Sequence, residues 1–281
     1  MNHPLKLWAN QRPGIMLPVF FLSFFFSSTA QGIFPDAYSL ARGGVCTVGP
    51  AEGWSLYNPA LLPGNQSAAY FAGHARPFAI GEIGVTSAGG ILPVDPGTFR
   101  LKLSGYGIPG YNALIMGLGY GMQMSEHLFA GINFQYYNTT IPGDLNYLWT
   151  IGWGAGLLYA PSKDTRTGIV LLNPFTASNY SGYGPLFPAM IAAGVSRRIY
   201  EHTHVLLECS YKSNAPLRIK FGLEYTLKDR ASLACGVHSS PATYAVGAGF
   251  NPGNFEIHFA TAWSALPGIH PSILFKWLPR K

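Results

Sequence analysis

Two pairs of residues have the types and spacing that metal binding or catalysis would use. His202 and His204 lie in a predicted turn and are candidate metal ligands, but no third ligand is near them in the sequence. Glu256 and His258 share one face of a predicted strand and could exchange a proton, but no nucleophilic serine motif accompanies them. We therefore predict no metal site, no cofactor and no enzyme activity, and assign Glu256 and His258 to a polar lining.

Two glycine runs, 117–121 and 152–156, imitate phosphate-binding loops only weakly. Glycine recurs at every second position, without the third-glycine spacing and without the helix that follows a nucleotide loop. Glycine at alternate positions of a strand favours close packing on one face instead. No basic run with interleaved aromatic residues is present, so nucleic acid is not a predicted partner.

The composition indicates a membrane protein without spanning helices. Of the 281 residues, 48% are hydrophobic and only 11% are charged, which is under half of the roughly 25% charged residues of soluble proteins. Past residue 30 no uninterrupted apolar stretch is long enough for a spanning helix. A β-barrel is the other structure that satisfies every backbone group in lipid. The 3 cysteines are an odd number without metal-ligand spacing, so no disulfide framework is predicted.

The first residues read as a signal peptide. Lys6 and Arg12 precede an apolar core at 15–26, and small residues at 28–30 form a cleavage site. An uncleaved anchor is the alternative, but the apolar run is short for a span. We predict that residues 1–30 are removed after export.

From residue 68 to the end, apolar and polar residues alternate with the period of a β-strand. In the stretch 218–228, Ile219, Phe221 and Leu223 fall on one face, and charged residues fall on the other. Strand centres fall near residues 72, 86, 102, 116, 132, 154, 168, 192, 208, 222, 234, 246, 258 and 275. The predicted lumen-lining residues are Arg100, Lys102, Glu208, Arg218, Lys220, Glu224, Glu256 and His258.

Alternation would also suit a soluble sandwich, and three features favour a barrel in the outer membrane. Aromatic residues end the apolar faces, as at Tyr225, Trp263 and Trp277. Small residues crowd the predicted inner face. Connections alternate between short turns and longer segments, of which 173–189 is predicted to be extracellular. We predict that residues 68–281 form a transmembrane antiparallel β-barrel of about fourteen strands, surrounded by the lipid of the outer membrane. Twelve strands would also fit this length.

Residues 31–67 are predicted to form a plug inside the barrel, which would otherwise leak. Pro59 disfavours a helical conformation at Asn58 and suits a first helical position itself. Asn58 is then an N-cap that accepts from the N–H of Ala60 or Leu61. The turn ends at Pro63 and is too short to be stable alone, so the barrel wall must hold it.

The stretch 36–62 resembles the N-terminal signature of the FadL-like superfamily of outer-membrane barrels. It combines Ala-x-Ser-Leu, Arg-Gly-Gly, a gap of about a dozen residues and Tyr-Asn-Pro-Ala-Leu. It looks closest to the PorV/PorQ branch, which is associated with type IX secretion in the Bacteroidetes. The plug residues that carry the resemblance are Arg42, Gly43, Gly44, Tyr57, Asn58, Pro59 and Ala60.

The resemblance implies two functions. A PorV/PorQ-like barrel would dock secreted cargo or other proteins of the secretion system. A FadL-like barrel would pass hydrophobic small molecules under the control of its plug. Cys46, the sequence Gly49-Pro50-Ala51-Glu52 and the short outer loops depart from the pattern, which argues against cargo binding through long loops. The secretion accessory is the first expectation, and the hydrophobic channel is the alternative.

Overall fold

The computed structural model describes residues 36–49, 57–80, 83–108, 111–140, 148–178, 188–213, 215–228, 230–265 and 268–279. A short α-helix, α1 (Ala37–Ala41), and a 3₁₀ helix, η1 (Pro59–Gly64), precede the strands, and a second 3₁₀ helix covers Pro77–Ala79. The strands are β1 (Ala69–Ala75), β2 (Gly84–Val94), β3 (Gly97–Ile108), β4 (Tyr111–Ser125), β5 (Leu128–Thr140), β6 (Leu148–Tyr159), β7 (Thr165–Ser178), β8 (Met190–Tyr200), β9 (Thr203–Lys212), β10 (Arg218–Leu227), β11 (Ala231–His238), β12 (Thr243–Phe250), β13 (Phe255–Ser264) and β14 (Gly268–Trp277).

The fourteen strands close into one antiparallel barrel in which each strand pairs with its neighbours in sequence. Closure comes from β1 and β14, where Tyr70 is opposite Trp277 and Ala75 is opposite Ser272. A closed barrel has no unpaired sheet edge, so the backbone groups of the strands are satisfied within the wall. The predicted strand number is confirmed, and each predicted strand centre lies within an observed strand.

The alternation of the sequence separates an apolar outer face from a polar inner face. On β10, Ile219 and Phe221 are 54% and 42% exposed, whereas Glu224 is 5% exposed. Leu223, predicted to face outward with them, is only half-buried, since Phe221 and Tyr225 flank it on the same face. The outer face thus presents a band of large apolar side chains of the kind that meets lipid.

The two ends of the barrel differ in their connections. At one end, which we call the turn end, the chain enters β1 and leaves β14, and short connections such as 95–96 and 126–127 join the strands. At the other, the loop end, connections include 76–83 and 179–189. Residues 173–178, predicted to belong to the long loop, instead continue β7.

Aromatic side chains mark both ends of the outer face. Tyr70 stacks on Trp277 at the turn end, with ring centroids 5.6 Å apart. Tyr244 stacks on Trp263 at the loop end, at 6.0 Å. Paired girdles of this kind are typical of barrels that cross a membrane.

The predicted signal peptide, residues 1–30, lies outside the described residues. Within the described residues, none of the helices has the length and apolar character needed to cross a membrane.

Candidate functional site

The N-terminal segment, which we define as residues 36–65 without the undescribed 50–56, lies against the inner face of the barrel. Helix α1 contacts β11 to β14, and η1 contacts β3 to β6. Between them, Thr47 lies against Gly168 of β7 and Gly194 of β8. The segment therefore passes around the inside of the wall, mostly in the half of the barrel nearer the turn end.

Local sequence explains how α1 begins and ends. Asp36 is its N-cap, and its side chain accepts a hydrogen bond from the Ser39 N–H at 2.9 Å. At the other end, Gly43 N–H donates to the Leu40 carbonyl at 3.1 Å and Gly44 N–H donates to the Ser39 carbonyl at 2.9 Å. These two bonds form a Schellman motif. Gly43 has φ +68°, and a Cβ there would lie 2.7 Å from the Phe221 carbonyl oxygen, so only glycine fits.

Arg42, which follows α1, forms a buried ion pair with Glu224 of β10. Arg42 Nε donates to Glu224 Oε2 at 3.0 Å, and Nη2 donates to Oε1 of the same carboxylate. Nη1 donates to the Tyr38 carbonyl at 2.6 Å, and the guanidinium lies 3.3 Å from the centroid of the Tyr38 ring. Arg42 and Glu224 are 2% and 5% exposed, so the pair fixes the segment to the wall where water does not weaken it.

Glu208 of β9 holds the next part of the segment. Its Oε2 accepts from the Cys46 N–H at 2.7 Å, from the Thr47 N–H at 2.8 Å and from Thr47 Oγ1 at 2.8 Å. Lys220 donates to Glu208 Oε1 at 2.5 Å and to the Gly44 carbonyl at 2.8 Å. A fully buried carboxylate is costly unless it is paired and hydrogen-bonded; Lys220 of the wall supplies the opposite charge, and the segment supplies the three hydrogen bonds to Oε2.

The Cys46 thiol is enclosed by this arrangement. Burial raises its pKa, and the Glu208 carboxylate raises the pKa further. Because the thiolate is the reactive form of cysteine, the seated segment keeps Cys46 unreactive.

Asn58 performs the predicted capping and one further task. Its Oδ1 accepts from the Ala60 N–H at 3.0 Å, and Pro59 is the first residue of η1, as predicted. Its Nδ2 donates to the Thr47 carbonyl at 2.7 Å, which ties the two halves of the segment together. Tyr57 packs on a buried apolar cluster of β7 and β8. The capped turn is 3₁₀ in character and ends at Gly64.

Inward-facing glycines of the wall allow the segment to approach. A Cβ at Gly131 would lie 2.6 Å from the backbone carbonyl carbon of Pro59, and one at Gly156 would lie 2.0 Å from Asn58 Oδ1. A Cβ at Gly121 would lie 2.3 Å from the Pro59 oxygen. In each of the two glycine runs one glycine, Gly121 or Gly156, packs against the N-terminal segment, whereas Gly154 packs against Asn133 and Leu172 of the wall.

The remaining residues predicted to line the lumen face inward but do not form one site. Arg100 is fully buried and Lys102 is 4% exposed, both on β3. Arg218 donates to the Ser240 carbonyl at 2.8 Å, near the loop end. Glu256 and His258 lie on β13 near the turn end, where Lys276 Nζ is 3.2 Å from Glu256 Oε1 and the Tyr38 ring meets His258 edge-on.

Some inward polar groups are buried without a hydrogen-bond partner among the described residues. They include both amide atoms of Gln135, the hydroxyls of Thr139 and Thr150, and Oδ1 of Asn173. They lie on β5 to β7, toward the loop end from η1. Sequence reasoning missed this group and Thr47; the alternation places Gln135 on the inner face but does not show whether it is paired.

Glu256 and His258 lie close together, with Nε2 of the histidine 3.8 Å from Oε2 of the glutamate, whereas the two candidate metal-ligating histidines lie on different elements. His202 lies in the turn before β9, and His204 lies on β9. No group of three or more metal-ligating side chains occurs in the part of the chain that the structure describes.

Comparison with solved structures gives the class of fold. The toluene transporter TbuX of Ralstonia pickettii matches with a TM-score of 0.60 and 14% identity, over 88% of this chain and 98% of that chain. The toluene transporter TodX of Pseudomonas putida matches with a TM-score of 0.63 and 12% identity, over 86% and 96%. A FadL homologue of Pseudomonas aeruginosa matches with a TM-score of 0.63 and 9% identity, over 87% and 98%.

At these identities the likeness is one of fold. The sequence matches no protein-family model and no curated protein. The chain has the fold of the FadL-type transporters, and its closed barrel with an apolar outer band is that of a bacterial outer-membrane protein.

Proposed function

We propose that this protein is an outer-membrane channel for small hydrophobic molecules, with its turn end in the periplasm and its N-terminal segment as the gate. The observation that carries the proposal is the seating of that segment. The buried Arg42–Glu224 ion pair fixes it to the wall, as do the hydrogen bonds from Cys46 and Thr47 to Glu208, and the segment contacts the inner face on both sides of the barrel. A barrel of this width would otherwise hold open water.

Apolar surface on the inner face supports hydrophobic solutes. Tyr137 and Ala113 are buried on β5 and β4, with Tyr106 and Ile115 packed against them. Val170, Leu172, Met190 and Ala192 form a second apolar cluster on β7 and β8, which Tyr57 of the N-terminal segment packs against while the segment is seated. Channels for water-soluble molecules have polar interiors, so apolar clusters here favour solutes that partition out of water. The toluene transporters of similar fold support the same conclusion.

The secretion role rests on the resemblance of residues 36–62 to the PorV/PorQ signature. In the structure, Arg42, Gly43, Asn58 and Pro59 of that signature contact the barrel wall or the segment itself. Because these residues hold the N-terminal segment in the barrel, the signature supports a channel gated by that segment better than it supports the docking of secreted proteins.

Uptake by whole cells tests the proposal. Bacteria whose outer leaflet is lipopolysaccharide should accumulate radiolabelled toluene faster when they express the chain than when they do not. Liposomes that contain the protein should show little swelling in glycerol, a polar solute of similar size. Rapid glycerol entry without any effect on toluene would indicate a general porin and contradict the proposal.

A further inference from the structure

A cavity of about 430 Å³ lies at the turn end, on the side of η1 away from the barrel interior. Ala60 and Leu61 of η1 form one wall of it, and Phe129 and Leu158 of the barrel form another. Phe129 and Leu158 are directly opposite each other on β5 and β6. Ala160 lies at the turn end of the cavity, where its N–H donates to the His127 carbonyl at 2.8 Å.

The deep part of the cavity is apolar, whereas its rim is charged. The deep walls are alkyl and aromatic groups, and Leu61 and Leu158 are each 5% exposed. Charged side chains, namely Glu126, Lys163 and Arg166, stand at the rim and carry both signs. Arg166 Nη1 donates to the Gly49 carbonyl at 2.8 Å, so this cation is partly engaged by the N-terminal segment.

Size and lining restrict the occupant. An apolar cavity of about 150 Å³ holds benzene and excludes water, so this cavity has room for a single-ring molecule with substituents. Binding against these concave apolar walls would remove the apolar surface of such a molecule from water, which favours binding. Among the described lining residues, those in the deep part of the cavity carry no charge that could pair with an ionic ligand.

We infer that this cavity is a binding site for an uncharged, apolar molecule of single-ring size, separate from the barrel interior and facing the periplasm. The site goes beyond the proposed passage, because it can fill from the periplasm whether or not the barrel conducts. If the barrel does conduct, a solute that has passed η1 binds in this cavity before it leaves the protein.

A tryptophan reporter tests the inference in lipid vesicles. Phe129→Trp places an indole in the cavity wall, and bromobenzene quenches indole fluorescence on contact. The difference from wild type isolates the added indole. Its quenching should saturate with free bromobenzene, and toluene should reverse it. The control is Leu157→Trp. Leu157 is next to Leu158 in the sequence, and its side chain is 51% exposed on the lipid face. Its quenching should rise in proportion to bromobenzene in the bilayer.

A second variant locates the site. Adding Ala160→Phe to Phe129→Trp fills the turn end of the cavity and should weaken the saturable quenching at least about tenfold, while heat-modifiable migration on gels shows that the barrel is intact. Non-saturating quenching equal to the control would overturn the inference, as would saturable quenching that Ala160→Phe leaves unchanged. The measurement involves no passage, so failed toluene uptake with saturable quenching would contradict the channel and leave this site standing.

Discussion

Arg42 and Glu224 are 182 positions apart in the sequence and form a buried, two-bonded ion pair on the inner face of the barrel. One partner belongs to the N-terminal segment and the other to β10. The pair makes the seating of the segment depend on two charges that are far from water. The pair therefore fixes the segment in one position on the wall. Either charge destabilises the folded protein once its partner has been removed.

Removal of one partner should release the segment. Glu224→Met leaves Arg42 buried without its carboxylate, which costs about 3 to 5 kcal/mol. We expect maleimide to label Cys46 at least about a hundred times faster than in the parent, in a background with Cys209 and Cys235 changed to serine. The double variant Arg42→Met with Glu224→Met should label more slowly than either single variant. Equal rates in all of them would show that the pair does not hold the segment.

Loss of the Asn58 cap should loosen η1 without affecting the wall. Asn58→Ala removes the bond to the Ala60 N–H and the bond to the Thr47 carbonyl, and a lost cap costs roughly 0.5 to 2 kcal/mol. We expect the barrel to insert and resist denaturation normally, while its conductance in a planar bilayer rises. Unchanged conductance combined with failed assembly would make the capped turn a requirement for folding of the wall and remove the gating role.

A methyl group at Gly131, which faces the segment, should disturb its seating, and one at Gly105, which is exposed, should not. Gly131→Ala would place a Cβ 2.6 Å from a Pro59 backbone atom, whereas a Cβ at Gly105 meets nothing within 4 Å. Gly131→Ala should therefore speed labelling of Cys46, and Gly105→Ala should not. Similar rates in the two variants would mean that η1 does not pack on the wall as described.

Depth in the membrane should determine the cost of an outward charge. Val246 and Phe250 share the outer face of β12 and are 55% and 49% exposed, the former near the middle of the strand and the latter at its turn end. Val246→Arg should destabilise the folded barrel by about 2 to 4 kcal/mol in urea titrations, and Phe250→Arg by about 0 to 1 kcal/mol. Equal tolerance of both would argue against a lipid-facing band.

The wall and the local turns could be predicted from the sequence because their signals are local. A period of two residues separates Lys220 and Glu224 from Ile219 and Phe221 without knowledge of any partner. The Asn58-Pro59 dipeptide contains its own capping geometry. For the same reason the fourteen strand positions were accessible from patterning alone.

The pairing of charges could not be predicted, because it depends on contacts distant in sequence. Glu208 meets Cys46 across 162 positions, and the alternation only shows that Glu208 faces inward. The Cys46 position looked like a departure from a family pattern, yet its N–H is a partner of Glu208. That Gln135 has no hydrogen-bond partner among the described residues is equally a property of the assembled interior.

A reversible lock on the segment tests the central claim most directly. The ideal Cβ position at Gly194 lies 2.3 Å from Thr47 Oγ1, close enough for a disulfide between Thr47→Cys and Gly194→Cys, with the three native cysteines changed to serine. Cells that express this variant should take up radiolabelled toluene several-fold more slowly when the disulfide has formed than after reduction, and the reduced rate should equal that of the Gly194→Cys single variant, whose added Cβ also meets Thr47. If the oxidised and reduced forms take up toluene equally fast while gels show the disulfide complete, the N-terminal segment is not the gate.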